Sequence, residues 1–474
     1  MSVTINQKPH LSLVQVGQPI LYSVIDTNVL ANYVNVRYHA TVRVVKGDFL
    51  NSTQQILSTL KTTPNASGYG IFDLRDVLET ELYPDYTIDH TNSYTKCMGY
   101  TGQDTQGFPI HHLTKMSTST GHGMVLMVEF EVRGALNSSA QIKKIGSGVQ
   151  DSVRFITNNV PAANDILYQD VTTDNYYFYA GDYGMNYLPA ATGNLATNMP
   201  ERSTARMTDV GVTAFYQNLT IYHGNVSIDK IDFQFYDKDD VNLGDVGLSA
   251  QITNGGNSSQ VGGVEYDSNK LFLYAGVYPG NLRQWTTIPA GTTYYSYRAK
   301  TGSSTNKSRK YWIDIIEECD RPFTRLTWLN KFGSWDYYNF TTKSVKTTTS
   351  EKKYFNAANG DWSGDRFTHT HYRGGKTAYN VNSMEKTTLH TDYLSESDAQ
   401  WLESVITSPE VYIINEGNDW NDGEATPLKS DMRDLVEPVI VTNNSISRKT
   451  VMNEGLIEHT ITIERNRKNN IHRI

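Results

Sequence analysis

The chain has 474 residues and a formal net charge of −8, with 38 % hydrophobic, 19 % charged and 11 % aromatic residues. So many aromatics argue against disorder, the low charge content against a coiled coil, and the acidic balance against a general nucleic-acid coat. With 31 Tyr and 35 Gly among abundant Thr, Ser and Asn, the composition is that of a β-rich, turn-rich protein.

The N-terminus, Met1 to Lys8, has no apolar core of a secretory signal. The expectation is a chain made in the cytosol. No window approaches the roughly 18 apolar residues of a spanning helix, so no membrane span is expected. Ile20 to Val24 reads as a strand. Val34 to Val44 alternates apolar and polar, as a half-buried strand does, and Met124 to Val132 is its expected partner. The turn cluster Pro64 to Gly70 precedes Ile71 to Leu78, which reads as a short helix or a strand-to-helix corner. A boundary is placed near Pro161.

The middle third is again β. Val226 to Tyr236 reads as a strand whose phase shifts at Asp229-Lys230, predicting a bulge. Leu271 to Tyr274, Tyr294 to Tyr297 and Tyr311 to Ile316 follow between Gly/Pro/Asn turns. In the last third, Arg325 to Phe340 reads as two strands around a Gly-containing turn, and the Thr/Lys-rich Thr341 to Lys353 as an exposed hairpin. A helix is predicted at 396–407. Ser395 is its N-cap, Trp401, Leu402, Val405 and Ile406 form its apolar stripe, and Ser408-Pro409 ends it. Strands are expected at Val411 to Ile414, Pro438 to Thr442 and Leu456 to Glu464. The chain is thus expected to be mainly β. Two antiparallel sandwich or barrel domains (1–160 and 161–320) precede a C-terminal β domain (321–474) with one flanking helix.

Little in the chain asks for catalysis. Cys97 and Cys319 stand alone and read as buried thiols. The acidic run Asp237 to Asp245 puts Val241 where a calcium loop needs an oxygen ligand, and no Glu lies at the right distance, so it reads as a solvated hairpin tip. The loop Asn418 to Gly423 meets the same objection. His111-His112 and the pair His369 and His371 lack a third ligand nearby. Gly146-Ser147-Gly148 lacks the spacing of a nucleophile elbow, and there is no phosphate-binding or dinucleotide loop. No catalytic residue, metal ligand or cofactor is assigned, and the chain is expected not to be an enzyme. The aromatic clusters are more informative, at Tyr176 to Tyr179, Tyr294 to Tyr297 and Trp335 to Tyr338. Tyr and Trp give large contact area with a polar handle, which suits subunit interfaces and also sugar stacking. The candidate interaction residues are Tyr294, Tyr295, Tyr337, Tyr338 and Trp362. Trp335 is expected in the core, and Trp362, in the loop from Asn359, is expected to be exposed.

Three stretches carry a family resemblance. They are Arg325-Leu326-Thr327-Trp328-Leu329-Asn330 with Gly333 and Trp335-Asp336-Tyr337-Tyr338-Asn339-Phe340, the segment Gly68 to Leu78, and the ending from Ser408-Pro409 through Pro438 to Val441 to Ile457 to Glu464. They resemble structural proteins of tailed bacteriophages that infect Bacteroidetes and of related marine and crAss-like phages. The matches cover well under half of the chain and include no catalytic residue. The resemblance implies a structural component of the virion tail (hub, ring or baseplate) with a tail-tube- or hub-like C-terminal β-sandwich. It implies homo-oligomeric rings around a channel that DNA passes, contacts with other phage tail proteins, and assembly in the host cytoplasm. The rival readings are a receptor- or carbohydrate-binding tail protein and, ranked last, a glycan-degrading tail enzyme.

Overall fold

The computed structural model describes residues 2–8, 13–15, 20–46, 53–79, 116–119, 123–156, 169–170, 175–176, 195–216, 230–249, 272–283, 286–301, 305–316, 323–370, 374–414, 436–443, 457–465 and 471–472. Cys97, Cys319, His111, His112, His371, Pro161, the loop 418–423 and the expected bulge at Asp229 lie outside them, as do Tyr177 to Tyr179. The described chain is mainly β and divides into two compact units. One comprises Met1–Glu317, Asn330–Asp336 and Asn421–Pro427; the other comprises Glu318–Leu329, Tyr337–Trp420 and Leu428–Ile474.

The first unit begins with β1 (Thr4–Gln7), β2 (Leu13–Gln15), β3 (Leu21–Ile25), β4 (Val34–Lys46), β5 (Thr53–Thr62) and β6 (Gly70–Asp73). After β6 comes a short helix, Arg75–Glu79, the corner expected there. Then come β7 (Met116–Ser119), β8 (Gly123–Ala135), β9 (Lys143–Ile156), β10 (Gln169–Asp170) and β11 (Asn175–Tyr176). The strands β2-β9-β8-β4-β5 form one sheet and β1-β3-β6 another. The expected partnership of β4 and β8 is antiparallel, with Ala40 opposite Phe130 and Val42 opposite Val128. Alternation puts Tyr38, Ala40, Val42 and Val44 on one face, where they are buried together with Val128, Phe130 and Val132. Tyr22 and Phe72 of the smaller sheet bring their rings to 5.1 and 5.6 Å from Phe130, so the two sheets close over one core.

A second pair of sheets follows. Its strands are β12 (Arg202–Ala205), β13 (Val212–Tyr216), β14 (Lys230–Tyr236), β15 (Asn242–Ser249), β16 (Phe272–Gly276), β17 (Tyr294–Thr301), β18 (Thr305–Asn306) and β19 (Tyr311–Ile315). The larger sheet runs β12-β19-β17-β14-β15, with β18 on β17, and the smaller runs β13-β16-β7. Ile231, Phe233, Phe235, Tyr295, Tyr297 and Ile313 fill the buried face. Not every pairing is antiparallel: β2 with β9 and β12 with β19 are parallel.

The second unit is built on β20 (Thr324–Leu329), β21 (Trp335–Phe340), β22 (Val345–Ala357), β23 (Gly360–Ser363), β24 (Arg366–His369), β25 (Gly375–His390), β26 (Val411–Ile414), β27 (Val436–Val441), β28 (Thr460–Arg465) and β29 (Ile471–His472). Its main sheet runs β21-β20-β26-β27-β28-β25-β22. Consecutive strands β21 and β22 thus occupy opposite edges. Seven strands about 4.8 Å apart would separate the edges of a flat sheet by about 29 Å, whereas the four-residue link 341–344 reaches at most about 17 Å. The sheet therefore curls toward closure. Thr342, in the link, donates its hydroxyl proton to the carbonyl of His390 on β25.

The segment expected as one helix at 396–407 forms two, Glu396–Leu402 and Ser404–Thr407, with Glu403 between them. Ser395 caps the first by accepting from Asp398 N at 3.2 Å. Trp401, Leu402 and Val405 are buried, and the Trp401 ring lies 5.3 Å from that of Trp328, whose Nε1 donates to Ser404 Oγ at 2.8 Å.

Candidate interaction surface

The motif around Trp328 and Trp335 is architectural. Asn330 Oδ1 accepts from Phe332 N and Ser334 N at 2.9 and 3.0 Å, closing the turn, and Gly333 supplies the left-handed φ of +79° that the turn requires. Within the first unit, Asn330 Nδ2 donates to Ala196 O and to Asp336 Oδ1, and Asp336 Oδ1 also accepts from Thr197 Oγ1 at 2.6 Å. In the second unit, buried Arg325 donates to Asn339 Oδ1 at 2.9 Å and lies 5.0 Å above the Tyr337 ring. Arg325, Asn330, Asp336 and Asn339 thus fasten backbone or neighbouring side chains.

The five aromatic candidates separate by environment. Tyr295 is fully buried and donates to Val277 O at 2.7 Å; Tyr337 is buried beneath Arg325. Tyr338 is half-buried against Phe340 and Trp401, and burial pushes its phenol up to about 12. Tyr294 belongs to a ladder: its ring stacks on Tyr236 at 5.1 Å, touches Trp312 and lies under Arg202. Its hydroxyl donates to Asp240 at 2.5 Å, and that bond lifts the phenol to about 12. Both faces of the Tyr294 ring are therefore occupied by its own chain. Trp362 is different, at 70 % exposure.

Trp362 sits on a projecting arm. The segment 341–353, expected as a complete hairpin, is instead part of one strand, β22. It contains no Gly, Pro, Asn or Asp, and its partner is β25, thirty residues on. β28 accompanies β25 only as far as Lys386, which pairs with Thr347 on β22. Beyond that point the ten residues 348–357 run on with β25, which among the described residues is flanked on its other side by β29 at Asn380–Val381. At about 3.4 Å per residue this is an extension of about 34 Å. A second, smaller hairpin, β23 with β24, interrupts the end, turning at Gly364 and Asp365.

For most of its length the arm is a two-stranded ribbon among the described residues, and its side chains are exposed or half-buried. Tyr354, Phe355, Phe367 and Tyr379 are 45–49 % exposed. Phe355 meets Tyr379 at 6.2 Å and Trp362 meets Phe367 at 5.4 Å, both edge to face, while Lys376 lies 4.5 Å over Tyr354. A bulge between Lys353 and Tyr354 leaves Tyr379 without a cross-strand partner. Among the described residues β22 is also a sheet edge, with its outer row of backbone donors and acceptors facing no strand, and it contains neither Pro nor Gly. Its Lys346, Lys352 and Lys353 discourage indiscriminate pairing. The arm itself, residues 348–385, holds five Lys/Arg against four Asp/Glu, and with the link and strand ends at its base, 341–390, eight against four, so a chain of net −8 carries a formal +4 over 341–390 and −12 elsewhere. His369, on β24, is exposed, and no group of three or more metal-ligating side chains occurs among the described residues.

The turn residues Asn359, Gly360 and Asp361 pointed to an exposed Trp362 but not to the arm, whose signal is the long Thr/Lys run without a turn. No family model matches the chain, and no curated protein does. Among solved structures, E. coli alpha-2-macroglobulin in its native conformation aligns with 89 % of this chain and 31 % of its own, at 9 % identity and a TM-score of 0.13. This chain spans under a third of that protein, and so slight a likeness carries no argument about fold or function.

Proposed function

We propose that this protein is a non-enzymatic structural subunit of a tailed-phage virion, part of a tail hub, ring or baseplate, and that it assembles with copies of itself and with other tail proteins through the arm. The supporting observation is the arm. An isolated two-stranded ribbon is marginal in water. This one exposes five aromatic rings, an open backbone edge and a positive charge opposite in sign to the rest of the chain. Such a surface gains most from a protein partner that completes the sheet and covers the rings. The three-domain layout, with a tail-tube-like curled sheet and a flanking helix at the C-terminus, belongs to the same proposal, as do assembly in the host cytoplasm and passage of DNA through the ring. The test is particle composition. Virions purified from lysate should contain the chain at a fixed ratio to the other tail proteins, and gold-labelled antibody should mark the tail. Absence from particles overturns the reading. Trp362 alone favours a second reading, glycan contact at the host surface. Glycan-array binding lost in Trp362→Ala would support it.

A further inference from the structure

The outward face of the large sheet in the first unit gathers four cations around one carboxylate. Lys230 and Asp232 lie on β14, Arg298 and Lys300 on β17, and Lys310 just before β19. Asp232 Oδ1 is 2.6 Å from Lys230 Nζ, and its other oxygen meets Lys300 Nζ. Burial raises the Asp232 carboxyl, but the bonds from Lys230 and Lys300 outweigh it and hold it below the usual range. Gly247 faces Asp232 from β15, and a Cβ there would lie 2.8 Å from Lys230 Nζ, so the glycine makes room for the lysine.

Two cations make no ion pair within 4 Å among the described residues. Arg298 is directly opposite Asp232, yet its Nε is buried with no hydrogen-bond acceptor. Lys310 donates to the neutral Gln234 Oε1 at 2.8 Å and lies 5.1 Å over the Trp312 ring. Burial, and then repulsion from Arg298, lower the Lys310 ammonium against the attraction of Asp245, which lies on β15 opposite Gln234. Like charges on neighbouring strands destabilise a sheet. Counting Asp232 and Asp245 against the four cations leaves a surplus of two positive charges on this face, on a protein of net −8, which an added anion would offset.

We propose that Arg298, Lys300 and Lys310 form a binding site for an oxyanion of the phosphate class, with Trp312 at its margin. A tetrahedral oxyanion offers acceptors to donors converging from two strands and offsets the surplus charge. This site is independent of the arm and of the virion proposal. The experiment is calorimetric titration of the full chain with sodium phosphate, and separately with a hexose phosphate, against sodium chloride of equal ionic strength. Saturable binding of phosphate is expected, weakened about tenfold or more in Lys310→Gln and in Lys300→Gln, since a charge-assisted hydrogen bond is worth about 1.5–3 kcal/mol. Equal affinities for the two ligands would assign the free oxyanion, and tighter hexose phosphate a sugar-borne one beside Trp312. Lys310→Gln removes a crowded cation and should keep the wild-type melting temperature, which separates lost binding from lost folding. Phosphate heats indistinguishable from chloride, or unchanged affinity in both variants, would overturn the proposal.

Discussion

Residues of one type take opposite roles here, and position in the pleat decides which. Tyr294 and Tyr295 are adjacent on β17, so one faces outward into a stacked ladder and the other inward to Val277. The run Tyr294-Tyr295-Ser296-Tyr297 carries no signal for its phase, so the sequence could not separate them. Trp335 and Trp362 were separable, because one sits in a strand motif and the other in a Gly/Asn/Asp loop. Tryptophans in these two settings should differ in energetic weight. Trp328→Ala, which removes a fully buried ring and its bond to Ser404, should cost about 3–5 kcal/mol in denaturant melts. Trp362→Ala should stay within about 0.5 kcal/mol. Tyr338 supplies a pH signature. Burial raises its folded value to about 12 from an ordinary 10, so the folded state favours the neutral phenol. Its contribution is complete below pH 10 and is lost as pH rises toward 12. A 295 nm titration should show late-ionising tyrosines, Tyr294 among them, whose amplitude falls by one in Tyr338→Phe, and that variant should lose less stability across the same interval.

Elements defined by local chemistry were legible and those defined by distant pairing were not. The helical segment announced itself through Ser395, the acidic first turn and the 3.6-residue stripe, all within a dozen residues. Its break at Glu403 left no comparable mark. Ser395→Ala removes the acceptor for Asp398 N and should destabilise the second unit by about 1 kcal/mol, measured by thermal melting followed by near-UV circular dichroism. The β4–β8 partnership was readable because β4 alternates from Val34 to Val44 and β8 joins an apolar run, Met124 to Val128, to an alternating stretch, Val128 to Val132. The arm was not, because β22 is polar on both faces and its partner begins only after an intervening hairpin. Its register is fixed by non-local pairing that no short window contains.

At the scale of the molecule, the charge distribution has more meaning than the total. A net −8 hides a basic arm and, on the outward face of one sheet, a crowded set of cations. The polar, Tyr-rich composition sorts into aromatic cores, a closed surface ladder and one exposed set of rings on the arm. Because the arm is positive and the rest of the chain negative, association through it should weaken as salt rises from 0.05 to 0.5 M, roughly. The most direct test of the account is the native mass of two purified proteins, the full chain and a variant in which residues 350–383 are replaced by Asn-Gly. That replacement joins the cross-strand pair Thr349 and Met384 with a two-residue turn. The account predicts a salt-sensitive multimer for the full chain and a folded monomer for the variant. A full chain that stays monomeric at micromolar concentration, or a variant that assembles equally well, would contradict it.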